Sequence, residues 1–188
     1  MFMRAVEFNM AKAVFIDRDG TINEEVNYLN DHAKMLLMEK SVEGLRLLQE
    51  NGYKIIIVTN QSGIAKGKIT EVQLEQIHGK IRKALTLKHG IVFEEIFVCP
   101  HSSEDNCDCR KPKTKSIEES KKKYGLKLEE CYVVGDKTSD VEMGKRAGCK
   151  TVLLKTGYGG KDGKYSAVPD FVAENLFEAA KIITKKGE

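Results

Sequence analysis

The stretch AVFIDRDGT, residues 13–21, carries the reading of the fold: an apolar run that ends abruptly in two aspartates, a glycine and a threonine. Four consecutive apolar residues without alternation describe a strand buried on both faces, and such strands belong to parallel sheets covered by helices. The strand is expected to stop at Asp17. Working outward, YKIIIVT (53–59) and CYVVGD (131–136) repeat the pattern, each a β-branched or apolar run meeting polar residues and glycine. VFEEIFVC (92–99) and KTVLL (150–154) complete five expected strands.

Helical signals lie between them. Ser41 is placed to cap a helix with an apolar stripe of Val42, Leu45, Leu47 and Leu48, closing at Asn51-Gly52. Thr70 and Gln73 form a capping box for a helix running to about Lys88. Further helices are expected over roughly 114–124, over 138–147 up to Gly148, and from about Asn175. Strands alternating with helices at this spacing describe an α/β fold: a Rossmann-like, doubly wound, mainly parallel sheet with helices on both faces and ligands at the carboxyl ends of its strands.

Composition sets the outer bounds. The chain has 188 residues, 41% of them apolar, with 31 Lys+Arg against 28 Asp+Glu. One domain is expected over the whole length, residues 1–10 forming a possible disordered extension with Met10 as an alternative start. A net charge of +3 with mixed signs does not describe a nucleic-acid-binding face, and no apolar run reaches the ~20 residues that span a bilayer. No nucleic acid, no membrane, a cytoplasmic location and a monomer are the expectations. Five cysteines are an odd number, and three of them crowd into residues 99–109. That crowding favours metal over disulfides.

Four chemically loaded segments fall just beyond strand ends: Asp17 to Thr21, Thr59 to Ser62, Arg110 to Lys113, and Gly135 to Asp140. Carboxylates there need a partner, and hard oxygen ligands from separate loops suit Mg²⁺, with Asp17 and Asp136 as the natural pair. Metal, lysine, hydroxyl and loop amides together supply what a phosphoryl group requires. Asp17 and Asp19, two apart on extended backbone, point the same way, so one can act as nucleophile and the other as proton donor. Cys99, His101, Cys107 and Cys109 make a complete tetrahedral set for a structural Zn²⁺ with no position left open. Cys131 and Cys149 read as core thiols, and His32, His78 and His89 as surface or packing residues.

At these residues the sequence resembles the haloacid dehalogenase superfamily of phosphatases, whose DxDGT signature stands here as Asp17-Arg18-Asp19-Gly20-Thr21. Thr59, a lysine after the third strand, and the GDxxxD of Asp136 to Asp140 follow in the family's order. The resemblance implies that Asp17 is the nucleophile and Asp19 the acid and then the base. It implies Mg²⁺ held by Asp17, Asp136 and the Asp19 carbonyl, and phosphoryl oxygens bound by Thr59 and Lys111, with Lys113 as the alternative lysine. Asp140 would lie behind the metal ligands; for it and for Lys137, plain helix-end and surface roles carry equal weight. The Cys/His loop followed by Arg-Lys-Pro is similar to two branches, the heptose 1,7-bisphosphate phosphatases and the histidinol-phosphate phosphatases.

Asp17 to Asn23 with Tyr28, Thr59 to Gly67, and Gly135 to Lys137 are similar to the heptose branch; the five residues between His101 and Cys107 are fewer than many of its members carry. On that resemblance the chain is capless and takes a small phosphorylated sugar, releasing the 7-phosphate of the heptose bisphosphate. Asn60, Gln61, Ser62, Arg110 and Lys111 would bind it. Two rivals have distinct marks: a phospho-accepting signalling domain has no use for Asp19, and a zinc-loop nucleic-acid module would need clustered basic residues.

Overall fold

The computed structural model describes residues 11–185. The expectations for residues 1–10 lie outside that range. Within it, β1 (Ala13–Ile16), β2 (Lys54–Asn60), β3 (Glu95–Cys99), β4 (Tyr132–Gly135), β5 (Lys150–Leu154) and β6 (Phe171–Ala173) form one parallel sheet in the order β3-β2-β1-β4-β5-β6. Alternate residues of the central strands feed separate cores. Val14, Ile16, Ile55, Ile57 and Val134 meet α1 (Ser41–Glu50), α2 (Glu71–Arg82) and α5 (Leu176–Lys185) on one face. Ala13, Phe15, Ile56, Val58 and Val133 meet α3 (Lys115–Tyr124) and α4 (Thr138–Ala147) on the other. This two-sided burial is the physical reason that the strands read as unbroken apolar runs.

The order reverses at β1, which pairs with β2 on one side and β4 on the other. Chains leaving the carboxyl ends of these strands diverge there and leave a crevice, the usual ligand position in such sheets. No insertion of domain size separates the elements between residues 11 and 185, so the crevice is shaped by loops alone.

Three details differ from the sequence reading. Ser41 is the first helical residue and not the cap; Lys40, in left-handed backbone at φ 66°, precedes it, and the Ser41 hydroxyl is buried without a partner. The capping box at Thr70 and Gln73 is present and the helical run reaches Lys88 as expected, but at Arg82 α2 passes into a wider π turn over Lys83–Leu87. A sixth strand, Phe171–Ala173, pairs in parallel with β5 at the sheet edge. Its three residues, of which only Ala173 is buried, are too few to carry a periodicity.

Candidate active site

Asp17 follows β1 directly, and its backbone N–H donates to the Val134 carbonyl at 2.9 Å, so the sheet register itself fixes the carboxylate. Lys111 reaches across from the segment after β3. Its ammonium lies 2.7 Å from Asp17 Oδ1 and 2.7 Å from Asp140 Oδ1, and it donates to the Val58 carbonyl at 2.8 Å. The contact to Asp140 is an ion pair without hydrogen-bond alignment. All three groups are buried. Burial alone would raise the Asp17 carboxyl, but the charges of Lys111 and Lys137 outweigh it and carry it below the ordinary range. Lys111 is held protonated by the two carboxylates against the effect of its own burial.

Lys113, the alternative lysine, points away from this group. It donates to the Cys107 carbonyl and to Asn106. Asn60 places Lys111 by a reciprocal pair of bonds, donating to the Lys111 carbonyl at 3.3 Å and accepting from its N–H at 3.1 Å. Its neighbour Gln61 donates from one amide to Thr59 Oγ1 at 2.7 Å and to Asp19 Oδ2 at 2.8 Å. Thr59 is buried beside Asp17 and Lys111 at the strand ends.

Asp136 is the third carboxylate. Carboxylate oxygens of Asp17, Asp136 and Asp140 all lie within 4.8 Å of one another. Asp136 Oδ2 accepts from the Tyr158 N–H at 2.7 Å, whereas Oδ1 is buried with no partner. Burial and the charge of Asp17 push the Asp136 carboxyl up to about 8, and burial pushes Asp140 up to about 6 against the pull of Lys111. Three carboxylates facing one buried lysine and one half-buried lysine, with an oxygen left over, make a cluster short of positive charge. Hard oxygen donors in that arrangement fit a magnesium ion.

The backbone is cut away beside the Asp136 carboxylate. A Cβ on Gly157, at φ +52°, would come within 2.1 Å of Asp136 Oδ2, and one on Gly20, at φ +80°, within 2.4 Å. Gly157→Ala is expected to cost roughly 2 kcal/mol or more, because it adds both left-handed strain and overpacking against a buried carboxylate. Urea midpoints of the variant and of Gly163→Ala, whose Cβ has free space apart from one carbonyl at 4.0 Å, would separate the two contributions.

Gly157 introduces the loop that the sequence reading did not single out. Residues 156–165 fold back over the carboxyl end of β4, Thr156 bonding the Gly20 carbonyl and Asp162 accepting from the N–H and hydroxyl of Thr138 at the start of α4. Four glycines, Gly157, Gly159, Gly160 and Gly163, all at positive φ in the structure, were its signal in the sequence. Tyr158, Asp162, Lys164 and Tyr165 line the open cleft of about 450 Å³ above the carboxylates. Opposite them stand Arg110, Asn60, Gln61, Ser62 and the turn around Tyr28. Lys137 is not a plain surface lysine: it sits in the cleft with Glu25 at 3.0 Å and the Tyr158 ring at 4.6 Å.

The four predicted zinc ligands converge. Cys99, Cys107 and Cys109 Sγ and His101 Nδ1 are 3.3 to 3.8 Å apart along the four measured edges. A tetrahedron of zinc–sulfur bonds of ~2.3 Å has edges of ~3.8 Å, so the donor set has the size that Zn²⁺ requires. Arg110, directly after Cys109, donates to the His101 carbonyl at 3.0 Å and lines the cleft. Cys131 and Cys149 are buried in the core, as the sequence suggested.

A parallel sheet in this order, with strand-end aspartates, a buried lysine and an open oxygen-lined crevice, defines a phosphatase of the haloacid dehalogenase class. Comparison with known proteins agrees. The HAD-hydrolase-like family model matches residues 108–179. The D-glycero-alpha-D-manno-heptose-1,7-bisphosphate 7-phosphatase of Photorhabdus laumondii is 38% identical over 186 residues, 95% of this chain and 100% of that protein. The corresponding beta-anomer enzyme of Pasteurella multocida is 37% identical, covering 93% of this chain and 97% of that protein. The crystal structure of D,D-heptose 1,7-bisphosphate phosphatase from B. bronchiseptica, complexed with magnesium and phosphate, superposes with a TM-score of 0.85 at 30% identity, covering 93% of this chain and 99% of that one. The chain belongs to the heptose bisphosphate phosphatase family of HAD-like hydrolases.

Proposed function

We propose that this phosphatase removes the 7-phosphate from D-glycero-D-manno-heptose 1,7-bisphosphate. The observation that carries the reading is the Asp17, Lys111, Asp140 and Asp136 cluster at the sheet's switch point, in a chain similar over nearly its whole length to heptose 7-phosphatases.

Asp17, kept ionised by Lys111, attacks phosphorus and takes the phosphoryl group as an aspartyl-phosphate, a mixed anhydride. Asp19 gives its proton to the departing alkoxide oxygen as the P–O bond breaks. It then takes a proton from the water that hydrolyses the aspartyl-phosphate, so one carboxyl serves as acid and then as base. Thr59 and Lys111 bind the phosphoryl oxygens. Asn60, Gln61, Ser62 and Arg110 hold the remainder of the sugar, Arg110 from the rim set by the zinc loop. The carboxylates of Asp17 and Asp136 and the Asp19 carbonyl would hold magnesium, which would supply positive charge to the phosphoryl oxygens. Asp140 orients Lys111 from behind.

The test is phosphate release measured side by side on heptose 1,7-bisphosphate and histidinol phosphate. Preference for the bisphosphate is the expected result. Preference for histidinol phosphate would instead favour the reading suggested by the short span between His101 and Cys107. A second expectation concerns the zinc loop, where zinc binding is coupled to loop order. Protein purified without chelator should contain one zinc per chain by elemental analysis, and Cys107→Ser should lower both zinc content and thermal stability. Absence of zinc would refute the structural-zinc proposal.

A further inference from the structure

Arg18 stands between the two aspartates of the motif, where alternation along an extended strand would turn it away from both. It is instead buried, at 1% exposure, and folds back on its neighbour. Its Nη2 donates to Asp19 Oδ1 at 2.8 Å and Oδ2 at 2.7 Å, and Nε donates to Oδ1 at 3.1 Å. The remaining end of the guanidinium, Nη1, lies 3.2 Å from His78 Nε2 on α2, and His78 is itself buried. An arginine has donors only, so His78 can serve it only with an unprotonated Nε2. Burial, then the charges of Arg18 and Arg82, hold the imidazole neutral by lowering its pKa to about 4. The charge of Asp19 pulls the other way, while Glu75, 3.8 Å from Nδ1, is largely exposed.

We propose that Arg18, braced by His78, is the positioning residue for Asp19, and that His78 therefore acts on proton transfer from α2, none of whose residues lines the cleft. The inference rests on the proposed role of Asp19. Asn23 and Gln61 also hold this carboxylate, at 2.9 and 2.8 Å, but both are neutral amides; Arg18 alone grips both oxygens with charge-assisted bonds. In the step concerned, Asp17 forms a bond to phosphorus, the P–O bond to the leaving group breaks, and the proton moves from Asp19 to the departing oxygen. Displacement of Asp19 therefore slows departure of an alkoxide, which must be protonated, far more than departure of a nitrophenolate, which leaves without a proton.

The experiment compares single-turnover release of the leaving group from an alkyl phosphate substrate and from 4-nitrophenyl phosphate. His78→Leu is expected to slow the alkyl substrate by roughly 10- to 100-fold and the aryl substrate by less than about 3-fold, because a misplaced acid costs that much only where acid is needed. His78→Gln, which keeps an acceptor for Arg18, should restore most of the alkyl rate. Equal losses on both substrates, or no loss on either, would overturn the inference. Asp17→Asn run in parallel separates this from the mechanism itself, since turnover surviving that change would refute the phosphatase chemistry and not the clamp. If His78→Leu does not fold, ¹⁵N spectra of the wild-type chain decide: an imidazole neutral at pH 6 with the proton on Nδ1 supports the clamp, and one protonated there or carrying its proton on Nε2 refutes it.

Discussion

Asp17→Asn is expected to reduce phosphate release on the order of 10⁴-fold or more while leaving the fold in place, because it removes the only strand-end oxygen nucleophile proposed to bond phosphorus. The amide is close in size to the carboxylate, and its oxygen can still accept from Lys111, which lies 2.7 Å from Asp17 Oδ1. Stability should therefore change little in comparison with activity. Measuring released phosphate together with the urea midpoint distinguishes loss of chemistry from loss of structure. A well-folded variant retaining more than about one-hundredth of wild-type turnover would exclude Asp17 as the nucleophile.

Lys111→Met is expected to damage both properties. Activity should fall roughly 10²- to 10³-fold through loss of a fixed positive charge aimed at the phosphoryl group. Stability at neutral pH should fall by about 3–5 kcal/mol, since Asp17 and Asp140 would be left buried without their shared cation. The pH dependence has a definite sign. In the wild type, Asp17 is held below its ordinary range, so its contribution is present at neutral pH and lost as acid protonates it. In the variant the carboxyls rise above their unfolded values, so the folded state binds more protons and regains stability as pH falls. The gap between the two proteins should be widest near neutrality and close toward about pH 4. Urea titrations at several pH values without added divalent cation would test this, and a constant gap would refute the pairing as its cause.

Much of this was legible in the sequence because the strands are buried on both faces. Unbroken runs such as Ile55-Ile56-Ile57-Val58 mark two-sided strands, and the acidic or hydroxyl residue that ends each run marks the crevice edge. The Cys/His cluster was legible for a similar reason, since four donors within eleven residues must meet when a short loop closes. The sixth strand was not, because three residues, only one of them buried, gain their structure from pairing with β5 and not from their own pattern. The 156–165 loop was missed because its hold on Asp136 and Thr138 is made by backbone N–H groups and a lone aspartate twenty-odd residues away.

The sequence by itself determined the parallel α/β plan, the order of the motif residues and the chemistry of the donor sets, because periodicity and residue type are local properties. The tertiary structure decided which of two lysines enters the site and which leaves it. Lys111 and Lys113 are two residues apart in the same basic run, and only the grip of Asn60 on the Lys111 backbone turns one toward Asp17 and leaves the other on the Cys107 carbonyl. It likewise made Arg18 and His78, sixty residues apart, a single buried pair. Contacts of that kind depend on how helices and strands pack, which no spacing along the chain encodes.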